Sequence, residues 1–427
     1  MRAGAMGMLV AVLASASLEA QEHAGWTLAR LLEHARAHEP TLRAARLEVQ
    51  IIEAELQQAE LRANPRVEIE HRQVPGGMDR QTMATAAIPL ELFRRGPRAA
   101  AARANVAVAS AMAEERERNL LLDVHMAYSR YLVATRRLSV LDELIEQGRR
   151  TLSLLESRAA AGAIPRLERD QTSVDVSRLE ATRAVTAGAV ESALVELRRS
   201  IGLEAGTPMT IADTLESAIA WTEIDAALLG PGAALPVGER SDLRVALAQV
   251  GVETARREQA KSEGRFDVAV FGGYMRMRSG FPQLGLDPTG VPVPIEATFN
   301  NVVVGAMIDV PLFNRNQGTI AAAELRAVAA RHTADARRLA AAAELDVARA
   351  RLRGAAASVR AFTKELRQTA RRNVDVLLES YALGRNTRLE VAAEQQRYLE
   401  VEMAYGEALM EVLDAYAAWQ AAMGRHQ

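Results

Sequence analysis

From Arg98 to Ala161 the chain runs for 64 residues with no proline and one internal glycine, Gly148. Alanine, leucine, arginine and glutamate dominate it, so it reads as one helix, about 96 Å long at ~1.5 Å per residue. Helices of compact domains run to roughly 20 residues, so this one must pack lengthwise on neighbours. Leu138, Leu141, Ile145, Leu152 and Leu155 follow the three-four spacing of a coiled-coil seam, and Val190, Leu194, Leu197 and Ile201 follow it on the returning segment. Thr319 to Leu383 repeats the pattern with Gly354 inside and is expected to be one helix too. With 4% aromatic residues against 49% hydrophobic, such a chain builds helix interfaces rather than large globular cores.

The repetition extends to landmarks. Pro89 and Pro311 lie 222 residues apart, Gly162 and Gly384 keep the same spacing, and so do Leu155/Leu377, Leu179/Val401 and Leu197/Trp419. Earlier, Leu42-Arg43 matches Leu243-Arg244 at an offset of 201, which leaves about 21 extra residues in the second copy, around Ser279 to Thr298. A tandem duplication accounts for both offsets.

Each copy reads alike. Trp26 to Arg62 is helical with a break at Glu39-Pro40, and Asn64-Pro65 ends it. Arg66 to His71 alternates polar and apolar, Pro75-Gly76-Gly77 turns, and Met83 to Leu90 returns, which is a strand hairpin. Phe266 to Met277 and Phe299 to Val310 form the second hairpin, joined by a longer loop. Strand passes to helix at Pro89 and Gly96 in one copy and at Pro311 and Gly318 in the other. Gly162 and Gly384 mark the helix-hairpin turns, followed by Pro165 or Asn386-Thr387 at the next helix start. Gly202 to Glu239 loses periodicity and gathers breakers at Gly206, Pro208, Gly230-Pro231-Gly232 and Pro236, a linker with one short helix packed as a belt on the long helices. The expected organisation is a signal peptide over 1–20, repeats over 21–202 and 239–427, and an equatorial linker over 203–238.

The start, Arg2 followed by apolar Met6 to Ala14 and the small-residue triplets Ala14-Ser15-Ala16 and Leu18-Glu19-Ala20, has the form of a secretory signal. No later stretch holds ~18 consecutive apolar residues, so no membrane helix is expected. The net charge of −2 offers no basic face to nucleic acid, and the lack of cysteine removes thiolate chemistry and a lipidated N-terminal cysteine. There is no P-loop, dinucleotide turn, HExxH or nucleophile motif, so no enzyme and no cofactor is expected. His34 and His38 lie one turn apart, a spacing that on an amphipathic helix usually means solvated side chains, and no metal site is assigned.

Four amphipathic strands match the length that crosses an outer membrane at a tilt, but they leave two open edges that lipid does not tolerate. Bacterial barrels begin at about eight strands, so a spanning sheet must be completed by a dimer or trimer; unspanned, the hairpins would cap a periplasmic coiled-coil scaffold.

Trp26-Thr27-Leu28-Ala29-Arg30-Leu31-Leu32, His38-Glu39-Pro40-Thr41-Leu42-Arg43, the two Pro-Leu junctions, Tyr381-Ala382-Leu383-Gly384 and the duplication together resemble a TolC-type outer-membrane factor. The resemblance implies a mainly α chain with a small β part: a homotrimer whose three chains supply a 12-stranded barrel in outer-membrane lipid and a 12-helix periplasmic tunnel. It also implies partners, a periplasmic adaptor and an inner-membrane efflux transporter. Pro311-Leu312-Phe313-Asn314-Arg315-Asn316-Gln317-Gly318 is similar to the junction of the heavy-metal cation branch, with drugs or organic compounds as the alternative cargo. By the same resemblance Glu168, Glu390 and Tyr381 fall at the periplasmic constriction, with Asp170 and Glu394 beside them. Rings of carboxylates at a narrow mouth attract cations, and acids in a first helical turn also simply favour the helix dipole.

Overall fold

The computed structural model describes residues 25–75, 77–229, 240–362 and 364–424. The expected signal peptide and the linker breakers from Gly230 to Pro236 lie outside them. In chain order the elements are α1 (Leu28–His38), α2 (Pro40–Glu60), β1 (Arg66–Gln73), β2 (Arg80–Pro89), α3 (Arg95–Ala160), α4 (Arg166–Ser200), α5 (Trp221–Leu229), α6 (Ser241–Glu263), β3 (Asp267–Leu286), β4 (Pro292–Asp309), α7 (Gln317–Ala361), α8 (Lys364–Ala382) and α9 (Arg388–Ala422). Two compact units form. One joins Leu47–Ala111 to Arg244–Ala336, and the other gathers the described parts of Met1–Arg46, Met112–Leu243 and Arg337–Gln427.

The first unit holds an antiparallel sheet of order β1-β2-β3-β4. Directly opposed residues share a face, and the register puts Val67, Ala86, Gly272 and Val304 in one row and Ile69, Ala84, Tyr274 and Val302 in another. That face is apolar and uncovered: Val302 is 78% and Val304 79% exposed. The opposite face carries Arg66, Glu68 and Glu70. The second hairpin is longer than expected, since pairing runs on to Leu286↔Pro292 past a bulge between Phe281 and Leu284. The Gly/Pro-rich stretch is therefore strand rather than loop. Pro292 and Pro294 sit on the edge strand, where a missing N–H costs nothing in the ladder. Asp287 closes the turn by accepting from the N–H of Thr289 (2.8 Å) and Val291 (3.0 Å).

At the strand-to-helix junctions Pro89 ends β2 and Pro311 follows β4. The left-handed residues there are Glu91 (φ 47°) and Asn316 (φ 62°). Gly96 and Gly318 are second residues of α3 and α7, with open space about them. The carbonyls at the end of α2 have no helical donors left, and arginines supply them: Arg95 Nε to Glu60 O (2.8 Å), Arg98 Nε to Ala59 O (3.0 Å) and Arg98 Nη2 to Leu61 O (2.8 Å). Glu91 holds Arg98 in place at 2.5 Å. In the second copy Asn316 Nδ2 does this work on Ala260 O at 2.9 Å.

In the other unit the linker supplies core. Met209, Leu215, Ile219 and Ile224 are buried with Leu31 and Leu42, with Leu120 to Leu132 of α3, and with Leu352 and Val412. Trp26, expected as helix, instead pairs with Ile211 in a parallel bridge, and Thr27 caps α1. The stretch expected as one helix from Thr319 to Leu383 breaks between α7 and α8. No proline or glycine marks the break. Tertiary contacts do: Phe362 meets the Tyr405 ring, and Arg367 lies over that ring at 3.8 Å while forking onto buried Glu402. The equivalent stretch of α3 stays helical, with Val140, Leu141 and Ile145 buried.

Candidate functional site at the helix-hairpin turns

Both turns close in the same way. Gly162 (φ 71°) and Gly384 (φ 73°) adopt the left-handed conformation that an L side chain resists. Ala163 N bonds Arg158 O (2.9 Å) and Gly162 N bonds Ala159 O (3.1 Å); Arg385 N bonds Ser380 O (3.0 Å) and Gly384 N bonds Tyr381 O (2.9 Å). Each is a Schellman cap.

The next helices begin differently, and that difference assigns the carboxylates. Thr387 caps α9, its hydroxyl accepting from Glu390 N while Glu390 Oε2 accepts from Thr387 N at 2.8 Å, a full capping box. The backbone N–H of Thr387, then its hydroxyl and Asn386, hold the exposed Glu390 carboxyl below the usual range. Glu168 has the same place in α4, but the capping residue there is Pro165, which has no N–H to offer. Glu168 turns instead to the other copy and accepts from the Tyr381 hydroxyl at 3.0 Å.

Tyr381 is packed with Leu155 and Val391, and burial, then the Glu168 carboxylate, push its phenol up to about 12. Beside it Arg388, first residue of α9, reaches across to α4: Nη1 to Gln171 Oε1 (2.7 Å), Nη2 to Gln171 O (2.8 Å) and to Asp175, and Nε to Thr172 Oγ1 (3.2 Å). Tyr381, Arg388, Thr172 and Asp175 line a narrow cleft with Gly148 and Gln395. A Cβ on Gly148 would stand 2.8 Å from Val176, so this glycine permits a close approach of α3 and α4.

Of the residues singled out in the sequence, Glu168 and Tyr381 are thus brought together. Asp170 is exposed and pairs with its neighbour Arg169. Glu390 caps its own helix, and Glu394 is buried at 7% exposure, accepting from Asn373 Nδ2 (3.2 Å) and pairing with Arg397. Sequence reading missed Arg388 and Asp175. An arginine at a helix's first position opposes the dipole and so demands outside acceptors, a signal that could have marked Arg388 but not the partner it finds. The cluster holds no nucleophile; it is a fastening between the two halves, made of charge-assisted hydrogen bonds that solvent partly screens, since the Asp175 side chain is 46% exposed. Among the described residues no group of three or more His, Cys, Asp or Glu could hold a metal, and no helix is long and apolar enough to cross a membrane.

Residues 31–203 match the model of the outer membrane efflux protein family. Over 341 residues the chain is 25% identical to the nickel-cobalt-cadmium resistance protein NccC of Alcaligenes xylosoxydans xylosoxydans, covering 78% of this chain and 71% of that one. Its fold matches CusC, studied for folding and transmembrane channel formation, with a TM-score of 0.75 at 17% identity over 95% of each chain. It also matches the outer membrane protein VceC of Vibrio cholerae, with a TM-score of 0.72 at 16% identity over 93% of this chain and 96% of that one. Residues 31–203 thus carry the match to the outer membrane efflux protein family, and the chain as a whole has the fold of the outer-membrane channel proteins it resembles.

Proposed function

We propose that the protein works as a homotrimeric exit duct for heavy-metal cations, supplied by an inner-membrane transporter of the proton-driven type through a periplasmic adaptor. The observation that carries the duct is the sheet: β1 and β4 are both open edges, and one face is apolar and uncovered. Lipid tolerates neither unpaired edges nor a polar outer face. Three copies give 12 strands and close the ring, with the charged face of β1 turned to the lumen. Similarity to a nickel-cobalt-cadmium resistance protein supports the cargo, as does the Pro311 to Gly318 junction.

At the periplasmic mouth, Tyr381–Glu168 and Arg388–Asp175 fasten the turns, and exposed Asp170 and Glu390 would recur threefold as an acidic ring that concentrates cations. Glu394 braces α9 on α8. The cargo is tested by deleting the gene and measuring growth against Ni2+, Co2+, Cd2+ and organic efflux substrates. Sensitisation to the metals, restored by the intact chain, is the expected result; sensitisation to organic compounds alone overturns the metal reading and leaves a duct for those compounds.

A further inference from the structure

His34 and His38 take no part in the sheet or the turns. They stand one turn apart on α1 with rings stacked at 4.3 Å and 21° between planes. His34 Nδ1 lies 3.1 Å from Ile201 O, and His38 Nδ1 lies 3.2 Å from His34 O. A carbonyl only accepts, so each Nδ1 donates, and the neutral imidazole then carries its lone pair on Nε2. Ligating histidines commonly make this bond, one ring nitrogen donating to a carbonyl, which fixes the tautomer and leaves the other nitrogen as the acceptor. The edge of Trp26 against His34, at 5.3 Å and 75°, steadies that ring further.

The backbone around the pair favours positive charge. α1 ends at His38, and α4 ends at Ser200 with Ile201 as its cap. The two ends abut, since a Cβ on Gly202 would lie 3.0 Å from Glu39 Cα and 3.1 Å from His38 O. Two helix C-termini, each the negative end of its dipole, therefore meet beside the imidazoles. The Glu39 carboxylate is turned to the start of α2, where it accepts from the Thr41 hydroxyl (2.7 Å) and Leu42 N (2.8 Å), so the negative field at the pair is that of the two helix ends. Arg30, over the Trp26 ring at 4.6 Å, and Arg43, donating to Ala37 O at 3.1 Å, are cations on α1 and α2 that oppose it. Burial, with His38 and Arg30 adding to it, holds the pKa of His34 low.

We propose that His34 and His38 form a two-imidazole site for a borderline divalent cation, Ni2+, Cu2+ or Zn2+, with water completing the coordination. Residues four apart on a helix have Cβ atoms about 5–6 Å apart, so turning the exposed His38 ring out of its stack, with loss of its bond to His34 O, brings both Nε2 atoms to ~2.0–2.1 Å from one ion. Imidazole suits these metals, and holding both ligands on one helix makes the second bond intramolecular. Two neutral ligands facing an arginine give an exchangeable site rather than a resident ion. The site stands whatever the channel carries.

The test titrates NiCl2 into the full-length protein in detergent, made without a polyhistidine tag, by calorimetry. Wild type should bind with one site per chain assigned to this pair. His38→Ala, an exposed position whose loss leaves the fold intact by circular dichroism, should weaken that site by at least about tenfold, as should His34→Gln. His71→Ala, removing a histidine that pairs with Thr82 on the sheet, should leave it unchanged. Equal Ni2+ binding by wild type and His38→Ala, or no binding by wild type, overturns the proposal.

Discussion

Glu168 and Glu390 are the same residue at the same place in two turns, yet one caps a helix and the other fastens the two halves. The cause is the neighbour three positions back, Pro165 or Thr387. Pro165→Thr restores an N–H at the cap and draws Glu168 into a capping box of its own. In a spectrophotometric alkaline titration the Tyr381 step, pushed up to about 12 by burial first and by Glu168 second, should then move only part of the way down, and Tyr381→Phe should delete it. The sign follows from linkage: between about 10 and about 12 the folded chain keeps a phenol proton that the unfolded chain has lost, so this contribution to stability falls as pH rises through that window. Both partners of this bond were singled out in the sequence by their resemblance to constriction residues, but their contact with one another was not. Arg388 and Asp175 were not singled out, because a contact between residues 213 apart leaves no local periodicity to read.

Among the elements, helix existence was legible and helix interruption was not. Absence of proline announced α3, whereas the break after Ala361 is imposed by Phe362, Tyr405 and the Arg367–Glu402 fork, none of which is a breaker by composition. The hairpin of β3 and β4 was underestimated because its prolines read as loop signals until the edge position of β4 explained them. Gly148 stood out in the sequence only as the one glycine between Arg98 and Ala161, and its duty is closeness. In an isolated helix Gly→Ala gains up to about 1 kcal/mol. Here the new Cβ meets Val176 at 2.8 Å, so Gly148→Ala should destabilise by roughly 1–3 kcal/mol in denaturant titration. Adding Val176→Ala should recover part of that loss; independent additive costs would show that the two do not touch.

At the scale of the molecule, the amphipathic alternation of the strands and the arithmetic of open edges were readable from sequence, since both depend only on period and strand number. Val304 stands on the apolar face, on the edge strand β4, and is 79% exposed. Val304→Arg should cost roughly 2–4 kcal/mol if that face meets lipid near the midplane, and Glu68→Arg, on the opposite face, should cost far less; heat resistance of the oligomer on a detergent gel separates them. If the proposed duct is narrowed at its periplasmic end by the fastenings between the halves, single-channel recording in planar bilayers reads that narrowing most directly. Wild type should insert and show a small, steady conductance, and the double variant Tyr381→Phe with Arg388→Ala, which removes both fastenings while leaving the sheet intact, should conduct several-fold more. Wild type that forms no channel, or a double variant with wild-type conductance, would contradict the account.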